Sequence, residues 1–221
     1  MVDEARRPVR RLTSWSRVAG LMAAITLGAG LVGVAEAQTP AVQPAETARN
    51  TARDTELAAG EIIVAVTSEP NGNAGLVQAT IDIAVPPSRL WALLLDCSLS
   101  LKLNERLKSC RVIKADPAGR FDIREHIVEW IWPLPKVRSV FRSDYVAPEL
   151  IRFQKVEGDL AELSGTWKLD AIRNGRGTRL TYVARIDPGV AVPGFVMRGV
   201  MEAEVRRTLT GLRQEATGRE K

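Results

Sequence analysis

The sequence of 221 residues contains a single histidine, His126, and only two cysteines, Cys97 and Cys110. A metal site built on several histidines is therefore excluded, and a serine–histidine–aspartate triad has only His126 available. No strand-turn-helix motif around a nucleophile is present. The two cysteines have no histidine near them, which makes a poor zinc site. We expect neither a metal nor a cofactor.

The sequence also has little excess charge. The formal net charge is +5, and five arginines against three acids place +2 of it in residues 1–37, which leaves +3 for the rest. Nucleic-acid binding requires a concentrated basic surface, so we expect no nucleic-acid partner. A transient contact with an anionic membrane surface remains compatible with this charge. The oligomeric state stays open.

Residues 1–37 have the pattern of a signal peptide. Arginines precede the apolar stretch 18–34, and Ala35-Glu36-Ala37 is a small-x-small cleavage sequence. We predict cleavage after Ala37 and a periplasmic or secreted protein. The alternative is an uncleaved membrane anchor, although the many Gly and Ala residues make the stretch a weak span.

The remaining chain divides into three parts. Residues 38–60 are rich in Ala, Thr, Pro and charge, and we predict a disordered linker with a possible short helix over 46–58. Residues 61–217 form the predicted folded domain, and residues 218–221 form a tail. Short β-rich runs separated by Gly, Pro and Asn turns indicate antiparallel strands, and an apolar period of three to four residues indicates a long final helix.

The strand predicted over 120–131 is ambiguous. One of its faces carries apolar residues together with Glu125 and Glu129, and the other carries His126 and Trp130. Because strand side chains alternate between faces, only one of these sets points into the fold. Which set does so decides what chemistry the interior contains.

Several motifs resemble the START-like polyketide cyclase/dehydrase and lipid-transport superfamily, which includes ubiquinone-binding START-domain proteins. The run 81–96 is one of them. The others are Val156-Glu157-Gly158-Asp159, Gly165-Thr166-Trp167, Gly177-Thr178-Arg179-Leu180-Thr181-Tyr182 and Pro193-Gly194-Phe195. The resemblance covers roughly residues 61–217. It implies an α+β helix-grip fold: a curved antiparallel sheet of about six or seven strands around a long C-terminal helix, with two short helices after the first strands.

The resemblance further implies a cavity between sheet and helix for a lipid, quinone, sterol or polyketide-like molecule. It implies no catalytic residue, because the matching motifs are architectural, and a fold alone does not establish an activity. Binding of a hydrophobic small molecule is the first hypothesis. The alternatives are a cyclase or dehydratase acting on an aromatic or polyketide-like substrate, and a structural or interaction module with a vestigial cavity, whose core would be filled.

Aromatic and methionine residues are candidates for the cavity wall, because they suit a flat or flexible apolar ligand; each alone also fits ordinary core packing. The candidates are Trp130, Phe141, Phe153, Trp167, Tyr182, Phe195, Met197 and Met201. The rigid turn 132–135 carries an apolar tip that gates the cavity, touches a membrane or simply connects strands.

Three residues are candidates for catalysis. Glu125 and Glu129 share a strand face and would act as acid and base with raised pKa values if that face lined the cavity. The alternative is that this face is turned to solvent or that arginines pair with both acids. His126 is a candidate general base or a structural histidine. Cys97 and Cys110 are either a disulfide, as an exported chain permits, or two small buried residues.

Overall fold

The computed structural model describes residues 44–68, 74–129 and 135–218. Eight strands form one sheet in the order β1-β2-β8-β7-β6-β5-β4-β3, and every neighbouring pair is antiparallel. The strands are β1 (Ile62–Ser68), β2 (Gly75–Ile83), β3 (Leu107–Ala115), β4 (Phe121–Glu129), β5 (Lys136–Val146), β6 (Leu150–Gly158), β7 (Glu162–Ile172) and β8 (Gly177–Asp187). The helix-grip prediction is confirmed, with eight strands instead of six or seven.

Four helices accompany the sheet in the described part of the chain. They are α1 (Pro44–Ala58), α2 (Pro87–Leu95), α3 (Cys97–Leu103) and α4 (Gly194–Thr217). The two short helices α2 and α3 follow the first strands, as predicted. The long helix α4 begins after Pro193 and ends at Gly218, which adopts the left-handed conformation that favours glycine.

Helix α1 occupies residues that the composition assigned to a disordered linker. Its single large apolar side chain, Leu57, is buried, and Arg53 donates a hydrogen bond to Thr80 of β2. Asp54 forms an ion pair with Arg179 of β8. The short helix considered for residues 46–58 is therefore present over Pro44–Ala58 and attached to the sheet, and the disordered-linker prediction is wrong for this stretch.

The main core fills only one side of the space between sheet and helix. Helix α4 packs directly against β1 and β2. Here buried side chains of β2 and β8, including Ile81 and Leu180, meet Leu209 and Leu212 of α4. Strands β4–β6 lie farther from α4, and the interior opens into a cavity there.

A disulfide bond joins Cys97 in α3 to Cys110 in β3, with their Cα atoms 5.4 Å apart. It links the helix that closes one side of the cavity to the edge strand of the sheet. Of the two alternatives that the sequence left open, the structure has the disulfide bond and not two separate buried cysteines.

Within the described residues, no helix combines the length and the apolar character needed to cross a membrane.

Candidate functional site

The cavity encloses about 380 Å³ between the concave face of the sheet and helices α2, α3 and α4. This volume lies in the range of pockets that hold small organic ligands. Most of its wall is aliphatic or aromatic. Leu99 and Leu103 contribute from α3, and Met197, Met201 and Val205 contribute from α4. The methionines give one wall side chains that adapt to ligand shape.

The sheet side of the cavity carries a row of aromatic rings. Phe141 contacts Phe153 edge to face at 6.2 Å, and Phe153 stacks on Tyr182 with ring centres 6.3 Å apart. Tyr182 in turn contacts Trp167 at 4.1 Å. The row forms because Gly165 on β7 lies opposite Phe153: a Cβ there would collide with the Phe153 ring. The Gly-Thr-Trp motif therefore shapes the cavity wall.

Most predicted wall residues lie where the sequence placed them. The cavity wall contains Phe141, Phe153, Trp167, Tyr182, Met197 and Met201. That they contact a ligand stays a prediction.

Two predicted wall residues need separate treatment. Phe195 lies outside the wall, and 72% of its surface is exposed, because it is on the solvent side of the first turn of α4 while Val196 and Met197 face inward. The prediction that Phe195 lines the cavity is therefore wrong. Trp130 lies outside the described residues, as do residues 132–134 of the predicted turn 132–135.

The even-numbered face of β4 points into the cavity and settles the ambiguity of that strand. Arg124, His126 and Val128 line the interior. Glu125 is on the opposite face, where Arg138 and Arg111 donate hydrogen bonds to it at 2.7 and 2.8 Å. These bonds hold the pKa of Glu125 below its usual range, the opposite of what a buried catalytic acid needs.

Glu129 also lies on the outer face of β4. It forms an ion pair with Lys108 at 3.1 Å, and the hydrogen bond from Lys108 lowers its pKa. The proposed acid–base pair of Glu125 and Glu129 is thus corrected: both carboxylates are held by cations outside the cavity. The structure agrees with the alternative stated from the sequence, in which this face lies outside the cavity and cations pair with the acids, with arginines at Glu125 and a lysine at Glu129.

A buried ion pair occupies the inner face of β4. The Nε of Arg124 donates to the Oδ2 of Asp122 at 2.8 Å, and both side chains are less than a tenth exposed. A second guanidinium nitrogen of Arg124 lies 3.3 Å from the hydroxyl of Tyr145, and the Tyr145 ring contacts Trp91 edge to face. Burial, together with the neighbouring Asp122, raises the pKa of Tyr145, so its hydroxyl stays protonated.

This cluster was not predicted from the sequence. The one available signal was the spacing of two residues between Asp122 and Arg124, which puts opposite charges on the same face of a strand. Within the described chain, no group of three or more His, Cys, Asp or Glu side chains is arranged to hold a metal ion.

His126 lies beside the ion pair and contacts Phe141 edge to face at 4.8 Å. Burial, assisted by the positive charge of Arg124, lowers the pKa of His126 to about 4. The imidazole is therefore neutral at neutral pH. The phenol of Tyr182 likewise stays protonated, since burial raises its pKa. The polar side chains His126 and Tyr182 in the cavity wall are therefore neutral, and the charged side chain of Arg124 is paired with Asp122.

The lowered pKa of His126 predicts an acid-sensitive fold. The folded state binds fewer protons at this position than the unfolded chain, whose histidine has its ordinary pKa near 6.5, so stability present above pH 6.5 is lost as the pH falls toward 4. The loss is about 3 kcal/mol. Denaturant unfolding at pH 7 and pH 4 measures it, and His126→Phe is the control for carboxylates that titrate in the same range. Equal pH dependence in the two proteins would refute the prediction.

Comparisons with known proteins agree on the architecture. The family model described as polyketide cyclase / dehydrase and lipid transport matches residues 75–217. A search of curated protein sequences finds no match.

Solved structures with the same fold come from bacteria and humans. A STAR-related lipid transfer protein from Xanthomonas axonopodis is 16% identical, with a TM-score of 0.60 over 71% of this chain and 93% of its own. An aromatase/cyclase from a Streptomyces species is 16% identical, with a TM-score of 0.52 over 66% and 95%. The lipid transfer and protein localization domain of human StarD13 is 16% identical, with a TM-score of 0.53 over 75% and 95%. Such distant likenesses establish the fold and nothing about the ligand.

Proposed function

Because the chain belongs to the polyketide cyclase / dehydrase and lipid transport family, we propose that it binds a hydrophobic small molecule, non-covalently, in the cavity between sheet and α4. The carrying observation is the cavity of about 380 Å³ with its predominantly apolar wall. Transfer of apolar ligand surface from water into such a space is favourable by roughly 25 cal/mol per Å². A module with a filled core, the third hypothesis from the sequence, has no such space.

The proposal is tested by titration with the apolar fluorophore N-phenyl-1-naphthylamine. Val200 of α4 lines the cavity, and Val200→Trp introduces an indole into it. The matched control is Val156→Trp, at a side chain that is 57% exposed. We expect saturable binding to the wild type and to Val156→Trp, and at least tenfold weaker binding to Val200→Trp. Equal affinities for all three proteins would mean that the probe binds outside the cavity and would contradict the proposal.

A second candidate is catalysis on a carbonyl substrate, of the cyclase or dehydratase type. The observation that favours it is the polar cluster of Arg124, Tyr145 and His126 on an otherwise apolar wall. Protonated Tyr182 is suited to donate to a carbonyl oxygen. His126, with a pKa of about 4, is a weak proton acceptor, which favours binding over proton abstraction. Unchanged recovery of a bound ketone substrate after prolonged incubation separates binding from turnover.

We also propose that the protein functions outside the cytoplasm. The N-terminal pattern of residues 1–37 supports export, and the bond between Cys97 and Cys110 fits an oxidising compartment. Polyketide tailoring normally uses carrier-bound intermediates inside the cell, so export favours a binding role over the cyclase. Intact mass of protein from the periplasmic or culture fraction checks the predicted cleavage after Ala37. Transient contact with a membrane surface, where an apolar ligand is exchanged, belongs to the same proposal.

A further inference from the structure

Two polar side chains face each other across neighbouring strands on the apolar wall of the cavity. His126 of β4 and Ser139 of β5 are direct register partners, and both line the cavity. Side chains at directly opposed positions of an antiparallel pair have their Cβ atoms about 5 Å apart. One small group inside the cavity is therefore within reach of both.

Each of these side chains has a buried polar atom that lacks a partner. Among residues 44–68, 74–129 and 135–218, no hydrogen-bonding group contacts the Nε2 of His126 or the Oγ of Ser139. Ser139 is only 4% exposed. Buried polar atoms are nearly always hydrogen-bonded, because leaving one unpaired costs its full desolvation free energy. Two such atoms on opposed positions of a ligand-sized cavity point to a shared ligand atom.

The charges around the cavity indicate what kind of atom this is. Arg124 is paired with Asp122, and Arg106, which also lines the cavity, is paired with Glu204 at 3.5 Å. His126 is neutral, because burial lowers its pKa to about 4. A carboxylate or phosphate on the ligand would lose its hydration without gaining an uncompensated cation, which is unfavourable. The polar group is therefore expected to be neutral.

We propose that the ligand is a neutral apolar molecule carrying a carbonyl or hydroxyl oxygen, and that this oxygen is hydrogen-bonded by the Nε2 of His126 and the Oγ of Ser139. A carbonyl oxygen accepts from both, with the imidazole protonated on Nε2 and the serine donating its hydroxyl proton. The perpendicular packing of the His126 and Phe141 rings, with centroids 4.8 Å apart, restricts rotation of the imidazole. The inference rests on the proposed binding function and adds the chemical class of the ligand to it.

Three probes of nearly equal shape test the inference. 2-Acetylnaphthalene carries a carbonyl oxygen, 2-isopropenylnaphthalene replaces that oxygen with a methylene group, and 2-naphthoate replaces the methyl group with an anionic oxygen. Affinities are measured at pH 7 by fluorescence titration or calorimetry. We expect the wild-type protein to bind the ketone about tenfold more tightly than the alkene, and the carboxylate most weakly.

The variants Ser139→Ala and His126→Phe each remove one hydrogen bond and are expected to reduce the ratio of ketone affinity to alkene affinity several-fold. The matched control is Ser164→Ala, whose hydroxyl bonds to Glu162 outside the cavity and whose removal leaves the preference intact. Thermal unfolding confirms that each variant is folded.

Equal binding of ketone and alkene by the wild type would overturn the inference and leave the proposed binding function standing. A preference that survives in both variants, or tightest binding of the carboxylate, would also overturn it. Failure of all three probes to bind would count against the binding function itself and remove the inference with it.

Discussion

Replacement of Arg124 by methionine is expected to lower the free energy of unfolding by about 3–5 kcal/mol. Arg124 and Asp122 are 8% and 7% exposed, and their contact of 2.8 Å is the charge compensation that the structure gives Asp122. Methionine keeps much of the apolar stem but leaves a buried carboxylate without its cation. The cost is that of an uncompensated buried charge, which exceeds the small net contribution of the pair itself.

A double variant separates the cost of the unpaired buried charge from the net contribution of the ion pair. In Asp122→Leu with Arg124→Met both charges are absent, and most of the lost stability is expected to return. The exposed pair of Lys168 and Asp170 has the same spacing on β7, so Lys168→Met is the matched control, with an expected loss below about 1 kcal/mol. Denaturant unfolding gives all four values. An Arg124→Met loss as small as that of Lys168→Met would mean that the cavity wall contains no buried ion pair.

Reduction of the bond between Cys97 and Cys110 is expected to lower the free energy of unfolding by about 3 kcal/mol, the loop-closure value for a separation of 13 residues. The bond also bears on ligand binding, because it connects α3 to β3, and Leu99 and Leu103 of α3 line the cavity. Reduced protein is therefore also expected to bind apolar probes more weakly.

The experiment compares denaturant unfolding with and without reductant. The double variant Cys97→Ala, Cys110→Ala is the control, because it has no bond to reduce and should not respond to the reductant. Alkylation followed by intact mass determination establishes the state of the thiols in each sample. Wild-type protein that unfolds at the same denaturant concentration in both states would contradict a stabilising role for the bond.

The sequence predicted the sheet, the long helix and most of the aromatic wall, because each depends on local periodicity. It failed at β4, where counting apolar residues favoured neither face. The outer apolar ring of Phe121 is covered by the guanidinium of Arg142 at 3.8 Å, and the inner charges of Asp122 and Arg124 neutralise each other. Both effects depend on pairings between side chains that alternation along one strand does not reveal.

Two other corrections have the same origin. The polar composition around α1 indicated a linker with at most a short helix, yet one buried leucine, Leu57, and the pairing of Asp54 with Arg179 attach the helix to the sheet. Phe195 looked like part of the wall because it is aromatic and lies two residues before Met197. Its position around α4 decides otherwise, since successive helical residues differ in direction by about 100°. The register of His126 with Ser139 likewise depends on strand pairing.

Native mass spectrometry of the protein, expressed with its own N-terminal segment and purified without detergent, tests the binding function most directly, when followed by organic extraction. We expect the wild type and Val156→Trp to retain a non-covalent apolar molecule that appears in the extract, and Val200→Trp to retain none. A wild-type protein that carries no such molecule, and that shows no measurable affinity for lipids, quinones or sterols, would contradict the account.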